Sequence, residues 1–456
     1  MAKKKQIELT IEEKLQNALV PKEEQPYKIP SNWCWSYWKY CGKFIAGNGF
    51  KNIYQGFTQY DIPYYKVGSL KFCDEGNYLI DETNTINEEI RTKLKAVKIP
   101  VNSIIFAKIG EAIKLNRRCL NKIECCIDNN LMAFISEKYF YKYIFYWTKS
   151  LNFYELTNAT TVPALRKTDL ENIPIPLPPL NEQQRIVNII ESLFVKLDRA
   201  KELIENTLAQ FEQNKMAILH KAFIGELTAK WRKENNIDLS SWQEKTIDEL
   251  CTSLKYGTSK KSNPEGSVVV LRMGNLQNGE IDWSNLMYTD DKDDIEKYLL
   301  KKGDVLFNRT NSPELVGKTS IYRGEYPAIY AGYLIKLDYG KDIIGEYLNY
   351  MMNSTKAKHY CYTVKTDGVS QSNINAKKIG AFEIPVPTIE EQQEIVNILD
   401  KLLAKYNKIK NVEQQLEKIE LLKKAILAKA FRGELGTNNP DEESAENLLK
   451  EILAEK

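Results

Sequence analysis

Residues 175–190 read IPLPPLNEQQRIVNII, and residues 384–399 read IPVPTIEEQQEIVNIL, the same phrase set 209 residues further on. Outward from it the repetition continues. AILHKAFIGEL (217–227) returns as AILAKAFRGEL (425–435) at an offset of 208, and Trp33 of IPSNWCW matches Trp242 of LSSWQE at 209. Weaker echoes join YYKVGSL (64–70) to VLRMGNL (270–276) and SIIFAK (103–108) to DVLFNR (304–309). Solenoid and propeller repeats recur every ~20–50 residues. A period four times longer marks a duplicated domain plus connector.

Each copy therefore holds a globular block that ends in the IPxP segment and is followed by a long helix. The expected organisation is an N-terminal helical segment (1–26), a first block (27–178), a first connector helix (179–236), a second block (237–387), a second connector (388–436) and a tail helix (437–456). Within the blocks, short β-type runs (KAVKI, SIIFAKI, LMAFI; SVVVLRM, DVLFN, YAGYLIKL) mix with helical ones (KYFYKYIFYWTKS; IGEYLNYMMNSTKAKHY), which predicts an α+β fold rather than βαβ units.

The connectors carry coiled-coil spacing. In the first, Ile186, Ile190, Leu193, Leu197, Ala200, Ile204, Thr207, Phe211, Asn214 and Ile218 alternate in steps of four and three, the period of a buried seam. In the second the seam runs Ile395, Leu399, Leu402, Tyr406, Ile409, Val412, Leu416, Ile419 and Ile426, with one stammer at 409–412 where the repeat offset drops by a residue. Asn181 is the expected N-cap and Gly225 the expected stop. About 40 residues at ~1.5 Å each make a rod of roughly 60 Å. Two matched seams predict antiparallel pairing, two similar globular blocks separated by the pair, and a pseudo-twofold relation from the duplication. The N-terminal segment (Ile7, Leu9, Ile11, Leu15, Leu19) is expected to pack beside the tail helix.

The sequence is poor in catalytic chemistry. Two histidines, His220 and His359, leave few places for an imidazole base, and eight cysteines form no CxxC pair, so they read as ordinary buried thiols and not as a metal or disulfide site. Ser312–Thr319 resembles a phosphate loop but lacks the first glycine, and Asp290, Asp291, Asp293 and Asp294 read as a solvated turn. No apolar run approaches the ~20 residues of a membrane span, and the basic start lacks the apolar stretch of a secretory signal. A cytoplasmic protein is expected.

Charge is more informative by segment than in total. Block 27–178 carries 20 Lys/Arg against 14 Asp/Glu, and block 242–387 carries 19 of each. Bulk charge alone does not indicate DNA; local clusters do the pointing. Lys108, Lys114, Arg117 and Arg118 gather beside Asn116 in the first block, and Asn308, Arg309, Thr310, Asn311 and Lys318 in the second. Lys66 and Arg272 sit at equivalent places. A second candidate surface precedes the IPxP segment: Thr160, Thr161, Arg166 and Lys167, then Ser370, Gln371, Ser372 and Asn373. These residue types pair with base edges and phosphates.

The entry residues Pro30, Trp33 and Trp242, the P-x-P-P-L-x-E-Q-x-x-I block (Pro176 to Ile186; Pro385 to Ile395, with Thr388 for the second proline of the pair), the K-A-F-x-G-E-L block and the tail Asp441–Leu449 together resemble the DNA-specificity subunit of type I restriction–modification systems. That resemblance implies two target-recognition domains, each reading half of a bipartite asymmetric sequence in double-stranded DNA. It implies helices that set the spacing and dock two methyltransferase subunits, with restriction/translocase subunits as further partners. S-adenosylmethionine, ATP and Mg would then belong to those partners, and this chain would be non-catalytic and bind no cofactor. The alternatives are a coiled-coil scaffold and the specificity subunit of a methylation-only system.

Overall fold

A computed structural model describes residues 9–136, 139–157, 162–407 and 410–455. The chain divides into two units, Met1–Glu202 with Gln415–Lys456, and Leu203–Gln414.

The first unit is built on a four-stranded antiparallel sheet in the order Gly42–Ala46, Leu131–Ser136, Ile104–Ala107, Arg118–Leu120. A three-stranded sheet (Thr85–Ile86, Ile62–Tyr65, Cys126–Ile127) adds one parallel pair. The entry strand Cys34–Tyr37 pairs with Pro174–Leu177 in a two-stranded ladder, where the prolines remove no central-sheet hydrogen bond. Helix Tyr141–Ser150 covers the sheet, and Trp38, Phe106, Phe134, Trp147 and Phe153 fill the space between with tilted and edge-to-face rings.

The second unit repeats the plan with other residues. Its four-stranded sheet runs Cys251–Tyr256, Leu334–Tyr339, Val305–Asn308, Thr319–Ile321, its mixed sheet Tyr288–Thr289, Val268–Leu271, Ala328–Tyr330, and its entry ladder pairs Gln243–Thr246 with Glu383–Val386. Both units are α+β, as expected. KAVKI departs from expectation: Lys95 takes φ +52° as the C-cap of helix Glu88–Leu94, which breaks the extended run and leaves only a bridge at Ile99. The thiol reading fails at one pair, Cys73 and Cys119, joined as a disulfide by a fold that closes 46 residues of chain.

The first long helix is continuous over Leu180–Phe223, 44 residues. The second connector is helical over Ile389–Asn407 and Lys410–Phe431. Within the first unit the early part of the first helix lies antiparallel to the late part of the second, tied by Asp198–Lys423 and Lys201–Glu420. Ile186 and Ile190 enter the core with Leu427, Ala430 and Phe431, while Ile419 is buried and Leu193, Leu197 and Leu416 are half-buried. Within the second unit Leu219, Ala222 and Phe223 share a core with Ile395, Val396, Leu399 and Leu403, and Leu402 is half-buried beside them. Side chains 405–413, with Tyr406, Ile409 and Val412, lie outside the description.

The expected seam needs correction after Ile204. Thr207 and Asn214 face solvent; Phe211 and Ile218 keep the half-buried places expected of them, and Leu208, Lys215 and Leu219 turn inward as well. The stripe there steps by four, three, four and four, close to the 3.6 residues of a straight helix, so a strict 3.5 count drifts off the face.

Helix ends follow local chemistry. Asn181 is not the cap: the first helix starts a residue earlier, with Gln183 N–H donating to the Pro179 carbonyl. Thr388, which replaces that proline, accepts from Glu391 N–H and so caps the second helix itself. At the other ends Gly225 (φ +81°) and Gly433 (φ +73°) close matching Schellman turns, Glu226 N–H to Lys221 O and Glu434 N–H to Lys429 O. A Cβ on Gly433 would sit 2.5 Å from Pro30 Cγ, so the recurrent GEL also needs glycine for close approach. The N-terminal helix Ile11–Ala18, capped by Thr10 and Glu13, does pack on the tail helix Ala445–Ala454, with Lys14 Nζ reaching Leu453 O.

Candidate nucleic-acid interface

The repeated motif itself proves to be a clasp. In the first unit Trp33 Nε1 donates to Glu182 Oε2 at 2.8 Å; in the second Trp242 Nε1 donates to Glu391 Oε2 at 2.9 Å. Both carboxylates are fully buried. Glu182 also accepts from Thr437 Oγ1 and Asn438 Nδ2, whereas Glu391 accepts from Thr228 Oγ1 and from Arg232 Nη1 at 2.6 Å. The neighbouring glutamines do the same job in each unit: Gln183 bridges Phe140 N–H and Pro178 O, and Gln392 bridges Ile344 N–H and Pro387 O. Tyr143 and Tyr347 hydroxyls donate to Pro176 and Pro385 carbonyls, each at 2.7 Å. The E-Q pair therefore ties entry strand, IPxP strand and helix start into one joint. The sequence carried a signal for this joint, a tryptophan (Trp33, Trp242) and a glutamate (Glu182, Glu391) recurring at one offset.

The second recurrence, K-V-G-S-L against R-M-G-N-L, is a capped turn. Ser69 Oγ accepts from Lys66 N–H and Asn275 Oδ1 from Arg272 N–H, each at 2.9 Å. The two cations are tied within their own units, Lys66 Nζ to Gln55 Oε1 and Arg272 Nη2 to Asn285 O.

The two surfaces expected separately in each block are brought together. In the first unit Gly110 N–H donates to Pro163 O and Leu165 N–H to Lys108 O. In the second, Thr310–Asn311 pairs with Ser372–Asn373, which pairs with Thr366–Asp367, and Ile374 N–H donates to Arg309 O. So the segment leaving a central strand runs beside the segment entering the IPxP strand, twice.

Around the first junction Arg117 and Arg166 are exposed, Lys108 is half-buried, and Lys114 and Lys167 pair with Glu111 and Glu171. Thr160 and Thr161 lie outside the described residues. Arg118 is corrected from the candidate set: it is 4% exposed, stacks 3.8 Å from the Phe153 ring centroid, and donates to Asn116 O and Leu151 O. Burial pushes its guanidinium down to about 9. It holds a loop together.

Around the second junction Arg309 stacks on Tyr256, with centroid distance 4.8 Å, and donates to Gly332 O, while its Nε has no partner. Asn373 Nδ2 donates to Thr310 Oγ1, and Gln371 is exposed. Asn311 Oδ1 accepts from Ser312 N–H. Two candidates are corrected here. Asn308 is fully buried, donating to Met273 O, and Ser372 is fully buried, donating to Asp367. Lys318 points elsewhere: Gly317 (φ +95°) turns the chain, and Lys318 Nζ reaches Gln277 in a cavity of about 350 Å³ that Met216 and Lys358 also line. Burial lowers its pKa. The loop resembling a phosphate cradle continues into strand Thr319–Ile321, not a helix. The acidic run is half structural, with Asp291 capping a helix and Asp294 buried against Thr258. Among the described residues no group of His, Cys, Asp and Glu is placed to hold a metal ion, and no helix is long and apolar enough to cross a membrane.

Comparison with known proteins agrees with this doubled plan. The family model described as "Type I restriction modification DNA specificity domain" matches twice, over residues 52–212 and 240–421, each match starting in a globular block and ending in a long helix. The chain is 30% identical over 315 residues to the type I restriction enzyme EcoKI specificity subunit of Escherichia coli K12, spanning 66% of this chain and 68% of that one. It is 29% identical over 335 residues to the StySPI specificity subunit of Salmonella potsdam, spanning 69% and 71%. A solved chain from a structure described as "Structural basis underlying complex assembly and conformational transition of the type I R-M system" shares the fold, with TM-score 0.66 at 19% identity, covering 90% of this chain and all of that one.

Proposed function

The chain belongs to the type I restriction–modification DNA specificity family, and from this premise we propose that each unit reads one half of a bipartite, asymmetric site in double-stranded DNA. The observation that carries the reading is the junction built twice from different side chains: Lys108 beside Leu165 in one unit, Arg309 to Asn311 beside Ser372 to Ile374 in the other. One scaffold with two sets of polar residues suits two different half-sites. The remaining candidates, Lys66, Lys108, Lys114, Arg117, Arg166, Lys167, Arg272, Arg309, Asn311, Gln371 and Asn373, supply phosphate and base-edge chemistry. In this reading the long helices set the spacing between half-sites and present the docking faces for two methyltransferase subunits. Restriction/translocase subunits complete the assembly. S-adenosylmethionine, ATP and Mg are bound by those partners, the chain itself is non-catalytic and binds no cofactor, and the complex acts in the cytoplasm.

The test is methylome sequencing of cells expressing the chain with its modification subunits. A split N6-methyladenine motif is expected; a continuous motif, or none, overturns the reading. Removing one heptad from both long helices is expected to change the non-specific spacer and leave both half-sites intact. Methylation at the original spacing would refute the ruler role. Arg309→Ala is expected to weaken or relax the second half-site alone by about 1–3 kcal/mol, the worth of a good base contact, seen as incomplete methylation of the original motif.

A further inference from the structure

We infer that the hairpin Thr366–Asn373 is the element of the second unit that enters the DNA major groove, with Val369 and Gln371 as its base-reading side chains. This deepens the reading above and rests on it. Val369 stands at the tip of the hairpin with 110% relative exposure, so burial within the chain gives it no role in folding. A β-branched apolar residue at a solvated turn is a poor local choice, because turns favour Gly, Asn, Asp and Ser.

The tip is nonetheless held rigid. Gly368 N–H donates to Gln371 O at 2.8 Å, and a Cβ on Gly368 would stand 3.0 Å from that same oxygen. Below the tip, Lys365 Nζ grips both oxygens of Asp367, whose Oδ1 also accepts from Ser372 Oγ. Lys378 Nζ binds Val364 O and Thr366 Oγ1 from one side, and Asn373 binds Thr310 from the other. A preorganised ribbon with an apolar point next to an exposed amide is a reading tool rather than a loose connection.

The dimensions and chemistry fit one occupant. A two-stranded ribbon, with strands ~4.8 Å apart, enters a major groove about 12 Å wide. There a thymine presents its methyl group to an apolar side chain and an adenine presents N6 and N7 to an amide. Val369 and Gln371 supply those two partners. Lys377, exposed on the helix that follows, supplies a cation for a phosphate flanking the groove. The second half-site is thus assigned at least one A·T pair read by this tip.

The test compares the unaltered complex with V369A and Q371A in cells expressing the modification subunits, read by methylome sequencing. Both positions are exposed, and unchanged thermal unfolding and co-purification with the modification subunits confirm folded, assembled chains. The expected result is a bipartite motif in which one A·T position of a single half becomes degenerate, with roughly tenfold or greater loss of discrimination there. The other half and the spacer stay unchanged. Unaltered stringency in both variants overturns the hairpin assignment while leaving the two-headed reading standing, and degeneracy in both halves overturns it as well. Absence of a bipartite motif with the unaltered chain overturns the functional reading and the hairpin with it.

Discussion

Glu391→Ala is expected to destabilise the second unit by about 3–5 kcal/mol, the usual cost of removing one member of a buried ion pair. Glu391 is fully buried and Arg232 is 9% exposed at its side chain, so the substitution strands a guanidinium with Thr228 Oγ1 and Gly225 O as its remaining acceptors. The Trp242 indole N–H loses its acceptor as well. Glu391→Gln relieves little. Whichever way the amide turns, its NH2 faces a group that can only donate, either Trp242 Nε1 or Arg232 Nη1, and rotation of the Thr228 hydroxyl relieves its own contact alone.

The equivalent carboxylate in the first unit behaves differently. Glu182 has three neutral partners, and the Thr437 hydroxyl can rotate to accept from an amide. Glu182→Gln is therefore expected to cost under about 1 kcal/mol, a single reoriented hydrogen bond. Urea unfolding of the four proteins checks the order. Equal losses for the two Gln variants would show that the Arg232 pair does not distinguish the two joints.

Trp38→Ala is expected to cost the first unit about 3–5 kcal/mol, because deleting a large core aromatic leaves a cavity its neighbours cannot fill. Trp38 is fully buried, with Phe44, Phe134 and Trp147 rings all centred about 5 Å away. Its indole Nε1 has no hydrogen-bond partner. Trp38→Phe then removes an unpaired donor together with some volume, and relief of that buried donor, ~1–3 kcal/mol, offsets part of the packing loss. The phenylalanine variant should unfold much closer to the unaltered protein than the alanine one. Near-equal midpoints for the two would place a partner on Nε1. Neither substitution touches the second unit's core, so the second half-site should be read by any chain that still folds.

The duplication, the α+β class and the long connector helices were legible in residue order, while the pairing of N-terminal and tail helices was expected from the family resemblance. Repeats and periodicity are local properties: Gly225 and Gly433 end helices because of their own φ angles, and Ile186, Ile190, Ile395 and Leu399 face inward because 3.5-residue spacing puts them on one stripe. Family membership followed from two ordered copies of the same motifs. Tertiary structure decided which charges are available. Lys, Arg, Asn and Ser look alike in sequence whether they cap a turn, stack inside a core or face water. Only the fold shows Arg118 over Phe153, Asn308 under Met273 and Lys318 turned to Gln277, while Arg117, Arg166 and Gln371 stay outside. The same holds for Glu182 and Glu391, whose partners arrive from residues 149 or more positions away. Spacing along the chain determines which face a residue takes on its own helix or strand. What meets that face depends on segments distant in sequence, and that pairing is settled by packing alone.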